Sequence, residues 1–419
     1  MQNPVKIEKQ KTVRWSWGVL DFFWGIAPLL IGVQLLAWIF FLPQSLHGHT
    51  SFRQLYTAGY MVRTGHAHEL YDYTAQKFFQ DQLVSREAVL MPFIRPPFDA
   101  LVFVPFSFLS YSSAYVAFLI LSVGLLAVSV RLLRPWTENL RASHKWLPIA
   151  IFASFVPVAS ALMLGQDSIL LLALLSASMF ALDKGRNFTA GALAGLGLFK
   201  FHLLIPLAVL LVCWRRFRFF AGFSSVAAAL ALISIVVASP AQIRFYAGSL
   251  LNIGQGGNGG AHELLRYPLP ITMMASLHGL INGIFEAPSI QRTIVTILLV
   301  VGVMLWIAIA VPRTCPTQWM VSVALTTAVL VSYYLFIYDL TLLLLPLAIA
   351  LNRSTAPSRG NNGRLLSAAC ILVFLAPACL ILWTDYFYLV SLPVFFFLFM
   401  LVKSAKNECG SADAATAFS

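Results

Sequence analysis

The sequence predicts an all-α, polytopic membrane protein, and three observations predict it. The 419 residues are 59% hydrophobic and only 11% charged, with a mean hydropathy of +0.81, whereas a soluble domain carries about a quarter charged residues. Apolar stretches of roughly twenty residues, the length that crosses a bilayer, recur along the chain. The weakly alternating segments of about ten residues that mark a membrane β-barrel do not occur.

Taken in order, spans are expected at roughly 22–42, 112–130, 147–163, 168–182, 188–214, 219–238, 293–311, 319–351, 365–382 and 386–402, about ten in all, with ends soft by a few residues. Inner loops of membrane proteins are enriched in Lys and Arg. Lys6, Lys9, Lys11 and Arg14, then Arg131, Arg134, Arg141 and Lys145, then Arg215, Arg216 and Arg218, then Lys403 and Lys406 all fall on one side of this map. The N-terminus is therefore expected in the cytoplasm, and the net charge of +12 reflects topology rather than a nucleic-acid partner. The first apolar segment is long and lacks a small-residue cleavage site, which points to an uncleaved span rather than a signal peptide.

The expected organisation is a cytoplasmic tail (1–21), one transmembrane domain (22–402) with outer loops at 43–95 and 239–292, and a disordered cytoplasmic tail (403–419). The five cysteines show no C-x-x-C spacing and none lies in an outer loop, so neither disulfides nor zinc are indicated.

Two segments are expected to be broken. Residues 188–214 lie between DKGR and RRFR, both inner by charge, yet hold Lys200 and His202 in "GLFKFH", with Pro206 aiding a bend. Segment 319–351 likewise places Asp339 in "SYYLFIYDL" between two inner flanks. Irregular backbone at membrane depth is tolerated only where protein or a water-filled cavity satisfies it, so the two breaks are expected to line one polar cavity on the outer side. Every histidine except His144, and most carboxylates, fall on that side.

The outer segments hold the candidate functional residues. From Phe52, apolar residues recur at Leu55, Tyr56, Gly59 and Val62, one face of an amphipathic helix with Arg53 off that face. Thr50 or Ser51 is a suitable cap, Gly65 a suitable stop, and a second helix is expected over about 74–88. Both helices would lie on the outer leaflet or on the span tips. A helix N-terminus attracts phosphate, which makes Arg53 and Tyr56 candidate substrate contacts; the alternative is a structural plug.

Arg95 in "IRPPFDALVFVPF" is either an interfacial anchor or a partner for a lipid phosphate, which a guanidinium grips with two bonds. In "MLGQDSILLL", Asp167 is most simply a helix cap and Gln166 a ligand contact. Lys200, a cation in apolar sequence, is expected to meet a phosphate or else to pair with Asp167 or Asp339. "NIGQGGNGGAHELLRYP" lacks the strand–loop–helix context of a nucleotide loop and reads as a flexible lid. His262 and Arg266 stand there four residues apart, on one helical face.

These motifs in this order ("SFRQLYTAGYMVRTGHAHELYD", "RPPFDALVFVPFSFL", "LGQDSILLL", "AGALAGLGLFKFHLLIPLAVLL", "YLFIYDLTLLLLPLAIAL") resemble glycosyltransferase family 87, over roughly 45–350. The resemblance implies a C-type glycosyltransferase-like fold. It implies transfer of a mannose-like hexose or a pentose from a polyprenyl-phosphate donor to a lipid or glycan acceptor, at the outer face of the plasma membrane. A carboxylate would act as general base and cations would stabilise the leaving phosphate. The family's first outer helix opens with an acidic residue where this chain has Ser51, so the outer carboxylates Asp72, Asp167, Glu263 and Asp339 could supply the base, with Asp72, Asp167 and Asp339 the candidates. Arg95, Lys200, His202 and Arg266 become candidate phosphate ligands, and Arg53, Tyr56, Gln166 and His262 candidate substrate contacts. No cofactor is implied; a divalent cation bridging the phosphate stays open. The rival readings are a transporter or flippase, since broken helices also build transporter sites, and a non-catalytic lipid-binding partner in envelope glycan assembly.

Overall fold

The computed structural model describes residues 17–87, 90–252, 271–286, 288–354 and 360–417, and no strand occurs among them. The helices are α1 (Trp17–Leu46), α2 (Phe52–Arg63), α3 (Tyr73–Leu83), α4 (Pro97–Phe103), α5 (Tyr111–Leu132), α6 (Glu138–Ser143), α7 (Leu147–Ser154), α8 (Val156–Met163) and α9 (Ser168–Asp183). They continue as α10 (Asn187–Gly195), α11 (Phe201–Cys213), α12 (Phe217–Asn252), α13 (Leu277–Ile284), α14 (Ser289–Ala310), α15 (Thr317–Val331), α16 (Leu344–Ser354), α17 (Gly360–Leu380) and α18 (Ser391–Ala417).

Seven helical stretches among the described residues are long and apolar enough to cross a bilayer, or eight when the bent pair α10–α11 counts as one. The sequence map of about ten is longer because three of its segments, 147–163, 168–182 and 188–214, hold no single helix long enough to cross. Segment 147–163 divides at Phe155 into α7 and α8, since Pro157 in the first turn of α8 cannot continue the preceding helix. The helix α9 has 16 residues and α15 has 15. Every residue of α15 from Trp319 to Val331 is buried, as befits a helix apolar on all sides. By contrast α1 and α14 bury little of themselves and present apolar side chains to the lipid side.

The helical backbone is interrupted within both segments where broken spans are expected. The α10 and α11 axes meet at 62°, through a 3₁₀ turn at Leu198–Lys200. The bend lies before Pro206, which sits inside α11, so proline does not make it. The second break is extended backbone after Val331, followed by a 3₁₀ turn at Ile337–Leu343 that leads into α16. Helix α10 packs closely on α12, because a Cβ on Gly191 would stand 1.8 Å from the Phe219 carbonyl oxygen and one on Gly222 2.0 Å from that of Phe188. Small residues of this kind let membrane helices approach.

Two loop expectations change. Helix α12 does not end at 238 but kinks at Ser239 (φ 66°) and resumes from Pro240, a residue suited to a first helical turn. The C-terminal segment read as disordered is the end of α18, helical to Ala417.

The amphipathic loop helices lie on the span tips rather than free on a leaflet. Helix α2 packs against α4 and α3. Phe52 is fully buried and stacks on Phe118 with ring centroids 5.2 Å apart, surrounded by Tyr111, Tyr115, Phe103 and Phe106. Neither expected cap forms: Ser51 makes no side-chain cap, and the Thr50 hydroxyl bonds Tyr111 at 3.0 Å. Instead the Phe52 N–H donates to the Leu164 carbonyl at 3.0 Å, docking the helix start on the turn before α9. The expected stop holds, with Gly65 at φ +84°. Helix α3 stops at Leu83, short of the expected 88.

Candidate functional site

At one end of the bundle the turn before α9, the α10–α11 break and the break after α15 come together under the loop that carries Arg95. The turn exists because α8 ends with Gly165 at φ +61°. Its N–H donates to the Leu162 carbonyl, and the Gln166 N–H donates to that of Ala161 at 2.8 Å, a Schellman end. A Cβ on Gly165 would stand 2.6 Å from the Phe52 Cβ, so both dihedral and space require glycine here. That turn aims Gln166 and Asp167 at Arg95.

Arg95 donates to Asp167 through Nη1, lies 3.3 Å from Asp99 Oδ2, and donates through Nη2 to Gln166 Oε1 at 2.8 Å. Lys200 Nζ reaches Asp339 Oδ1 at 2.5 Å and Ser168 Oγ at 2.6 Å, and lies 3.1 Å from Asp167 Oδ1 and 5.0 Å from the centre of the Tyr338 ring. Asp339 also accepts from Ser168 Oγ at 3.0 Å and, through Oδ2, from the Phe336 N–H at 3.2 Å. Asp99, Asp167 and Asp339 are each 1% exposed. Two cations and three carboxylates thus form one buried network, and a buried charge is tolerated where it is paired and hydrogen-bonded.

Beside this network lies a pocket lined by Gln54, Ile94, Arg95, Pro96, Phe199, Lys200, Phe201, His202, Tyr333, Tyr334, Tyr338 and Asp339. The two breaks therefore line one cavity. His202 packs edge-on against Tyr333 and Tyr334, centroids 5.8 and 5.7 Å away. Its Nε2 is buried and has no hydrogen-bond partner. Among the described residues no group of three or more His, Cys, Asp or Glu side chains is placed to hold a metal ion.

Several sequence-predicted site residues fall together here: Arg95, Gln166, Asp167, Lys200, His202 and Asp339. The cap expected of Asp167 is not made; its carboxylate turns to the cations instead. The interfacial-anchor reading of Arg95 gives way to a partly buried clasp on Asp167, and Gln166 holds Arg95 rather than standing free. Lys200 makes both ion pairs named as the alternative to a phosphate.

Three candidates lie elsewhere. Asp72 is exposed and caps α3, accepting from the N–H groups of Thr74 (2.8 Å) and Ala75 (3.2 Å). Arg53 is 1% exposed and joins α2 to the end of α3, donating to Gln80 Oε1, Ser85 and Asp81. Tyr56 donates to the Leu109 carbonyl at 2.8 Å and packs on Tyr111. These three hold the loop together, because short-range spacing specifies a helix face but not what covers it. His262, Glu263 and Arg266, with the glycine-rich lid, lie outside the described residues.

Asp99 was missed, although it stands four residues after Arg95 in "RPPFD", the spacing of a helical ion pair. Burial pushes its carboxyl up, against the opposing pull of Arg95. Tyr333, Tyr334 and Tyr338 were missed as pocket walls for want of any local signal beyond their aromatic clustering.

The family model for glycosyltransferase family 87 matches residues 93–333, more than half of the chain. Arg95, Asp99, Asp167, Lys200, His202 and the Tyr333 wall fall inside the match, while all but the last three residues of the first outer loop (43–95) precede it and Asp339 follows it by a few residues. No curated protein and no solved structure matches the chain. The chain that builds this buried charge network belongs to glycosyltransferase family 87.

Proposed function

We propose that the protein transfers a sugar, a mannose-like hexose or a pentose, from a polyprenyl-phosphate donor to a lipid or glycan acceptor at the outer face of the plasma membrane. The observation that carries this reading is the pair of cations, partly buried Arg95 and buried Lys200, that line one pocket at the loop end of an apolar bundle. A lipid-linked donor brings its phosphate to membrane depth, where a guanidinium and an ammonium are the groups suited to hold it. On this reading the phosphate oxygens compete with Asp167 and Asp339 for the two cations. As the sugar–phosphate bond breaks, the charge growing on the leaving phosphate is met by groups already in place. Displacement proceeds directly, with inversion at the anomeric carbon. The orientation rests on charge: Arg215 and Arg216, between α11 and α12, and Arg218, in the first turn of α12, stand at the opposite end of α11 from Lys200, and basic loops face the cytoplasm.

The test uses purified full-length protein in lipid nanodiscs with radiolabelled undecaprenyl-phosphate mannose, glucose and arabinose, each offered a bacterial membrane-lipid extract as acceptor. Labelled sugar is expected to move to the acceptor from one donor, with release of undecaprenyl phosphate. No transfer from any donor, under conditions where undecaprenyl phosphate binds, overturns the reading.

A further inference from the structure

His202 is the one pocket-lining side chain, among the described residues, with a buried polar atom that lacks a hydrogen bond. A buried ring nitrogen without a partner loses the hydrogen bond that water gave it, and such atoms in native structures call for a reason. The carboxylates around it have no such vacancy facing the pocket. Asp339 accepts from Lys200, Ser168 and the Phe336 N–H. Asp99 and Asp167 lie outside the pocket lining, both against Arg95. Asp167 Oδ1 also lacks a hydrogen bond, but it sits 3.1 Å from Lys200 Nζ and away from the cavity. Ser51, the position where the family resemblance expects an acid, does not line the pocket either.

The imidazole is well held. Tyr333 and Tyr334 meet it edge-on, and it opens helix α11 one residue after Phe201. Pro206, four residues on, carries no N–H for the His202 carbonyl, so the backbone here is not bound in a regular ladder. The charged groups whose fields act on the ring are Asp339, Lys200, Arg95 and Asp167. A neutral imidazole offers one N–H and one lone pair, the equipment of a proton acceptor.

We propose that His202 Nε2 takes the proton of the acceptor hydroxyl during glycosyl transfer, an assignment that rests on the reading above. The acceptor oxygen forms its bond to the anomeric carbon while the bond from that carbon to the donor phosphate oxygen breaks. The bonding pair leaves with the phosphate, and the hydroxyl proton passes to Nε2. The products are the glycosylated acceptor, polyprenyl phosphate held by Arg95 and Lys200, and an imidazolium that returns its proton to solvent. His202 is then a catalytic residue and not a phosphate ligand.

The experiment compares wild-type protein, His202→Gln and His202→Ala in nanodiscs with the undecaprenyl-phosphate sugar that wild type turns over, and measures undecaprenyl phosphate binding separately. Both variants are expected to lose about 10²-fold or more in kcat while binding undecaprenyl phosphate as wild type does. The acid limb of the wild-type kcat profile is expected to vanish in His202→Ala, and added imidazole to restore part of its rate. A His202→Gln protein that turns over as wild type overturns the proposal, as does a loss of undecaprenyl phosphate affinity that accounts for the loss of rate. Absence of transfer by wild type overturns the reading beneath it, so the two failures are told apart.

Discussion

Lys200 Nζ lies 2.5 Å from Asp339 Oδ1, so the break between α10 and α11 is tied to the 3₁₀ turn that precedes α16. The pair satisfies both irregular segments at once, and it places a cation at the pocket wall.

Removing one partner of such a pair leaves a buried charge alone. Lys200→Met is expected to cost about 3–5 kcal/mol of stability, read as a lower unfolding temperature in nanodiscs. The double variant Lys200→Met/Asp339→Asn should regain most of that stability without regaining undecaprenyl phosphate binding. A double variant that binds as wild type would remove Lys200 from the proposed phosphate site.

Arg95 grips Asp167 and Gln166 through two different nitrogens, a geometry an ammonium does not reproduce. Arg95→Lys is expected to keep the charge yet raise the KM for the lipid-linked donor by about tenfold or more, the scale of one lost charged hydrogen bond. Steady-state kinetics at fixed acceptor would read it, and an unchanged KM would assign Arg95 to structure alone.

Asp72 provides the contrast. Its carboxylate caps α3, so Asp72→Ala should cost about 1 kcal/mol and leave kcat within about twofold of wild type. A large loss of kcat with an intact fold would return Asp72 to the catalytic candidates.

Burial pushes the Asp99 carboxyl up to about 7, from an ordinary value near 4. The folded protein then holds a proton that the unfolded chain releases between those values. Stability from this group therefore falls as pH rises from about 4 to 7. Asp99→Asn does not titrate, so its unfolding temperature should decline less than wild type's between pH 5 and pH 7.5. Equal declines would mean that Asp99 stays ionised beside Arg95.

Close packing makes a fifth prediction. Gly165 holds a left-handed dihedral 2.6 Å, in Cβ terms, from Phe52. Gly165→Ala is expected to destabilise by at least about 1 kcal/mol and to disturb the Gln166–Arg95 bond, visible as a lower unfolding temperature together with weaker donor binding.

The sequence by itself determined that the chain is helical and membrane-bound, that the helical backbone is interrupted within 188–214 and 319–351, and that α2 stops at Gly65. Each follows from properties local to a segment: apolar length, a charge where a span should be apolar, a glycine where the helix must turn. The residue types of the site were legible for the same reason, since Lys200 and Asp339 are conspicuous in apolar surroundings. Only the tertiary structure decided which charges meet. Lys200 and Asp339 are 139 residues apart, Arg95 and Asp167 72, and no local pattern pairs them. It also decided that Asp72 caps a helix while Asp99 joins the network, and that Arg53 bolts α2 to the end of α3. The physical reason is that spacing along a helix selects a face, whereas the cost of burying a charge depends on what packing brings against that face.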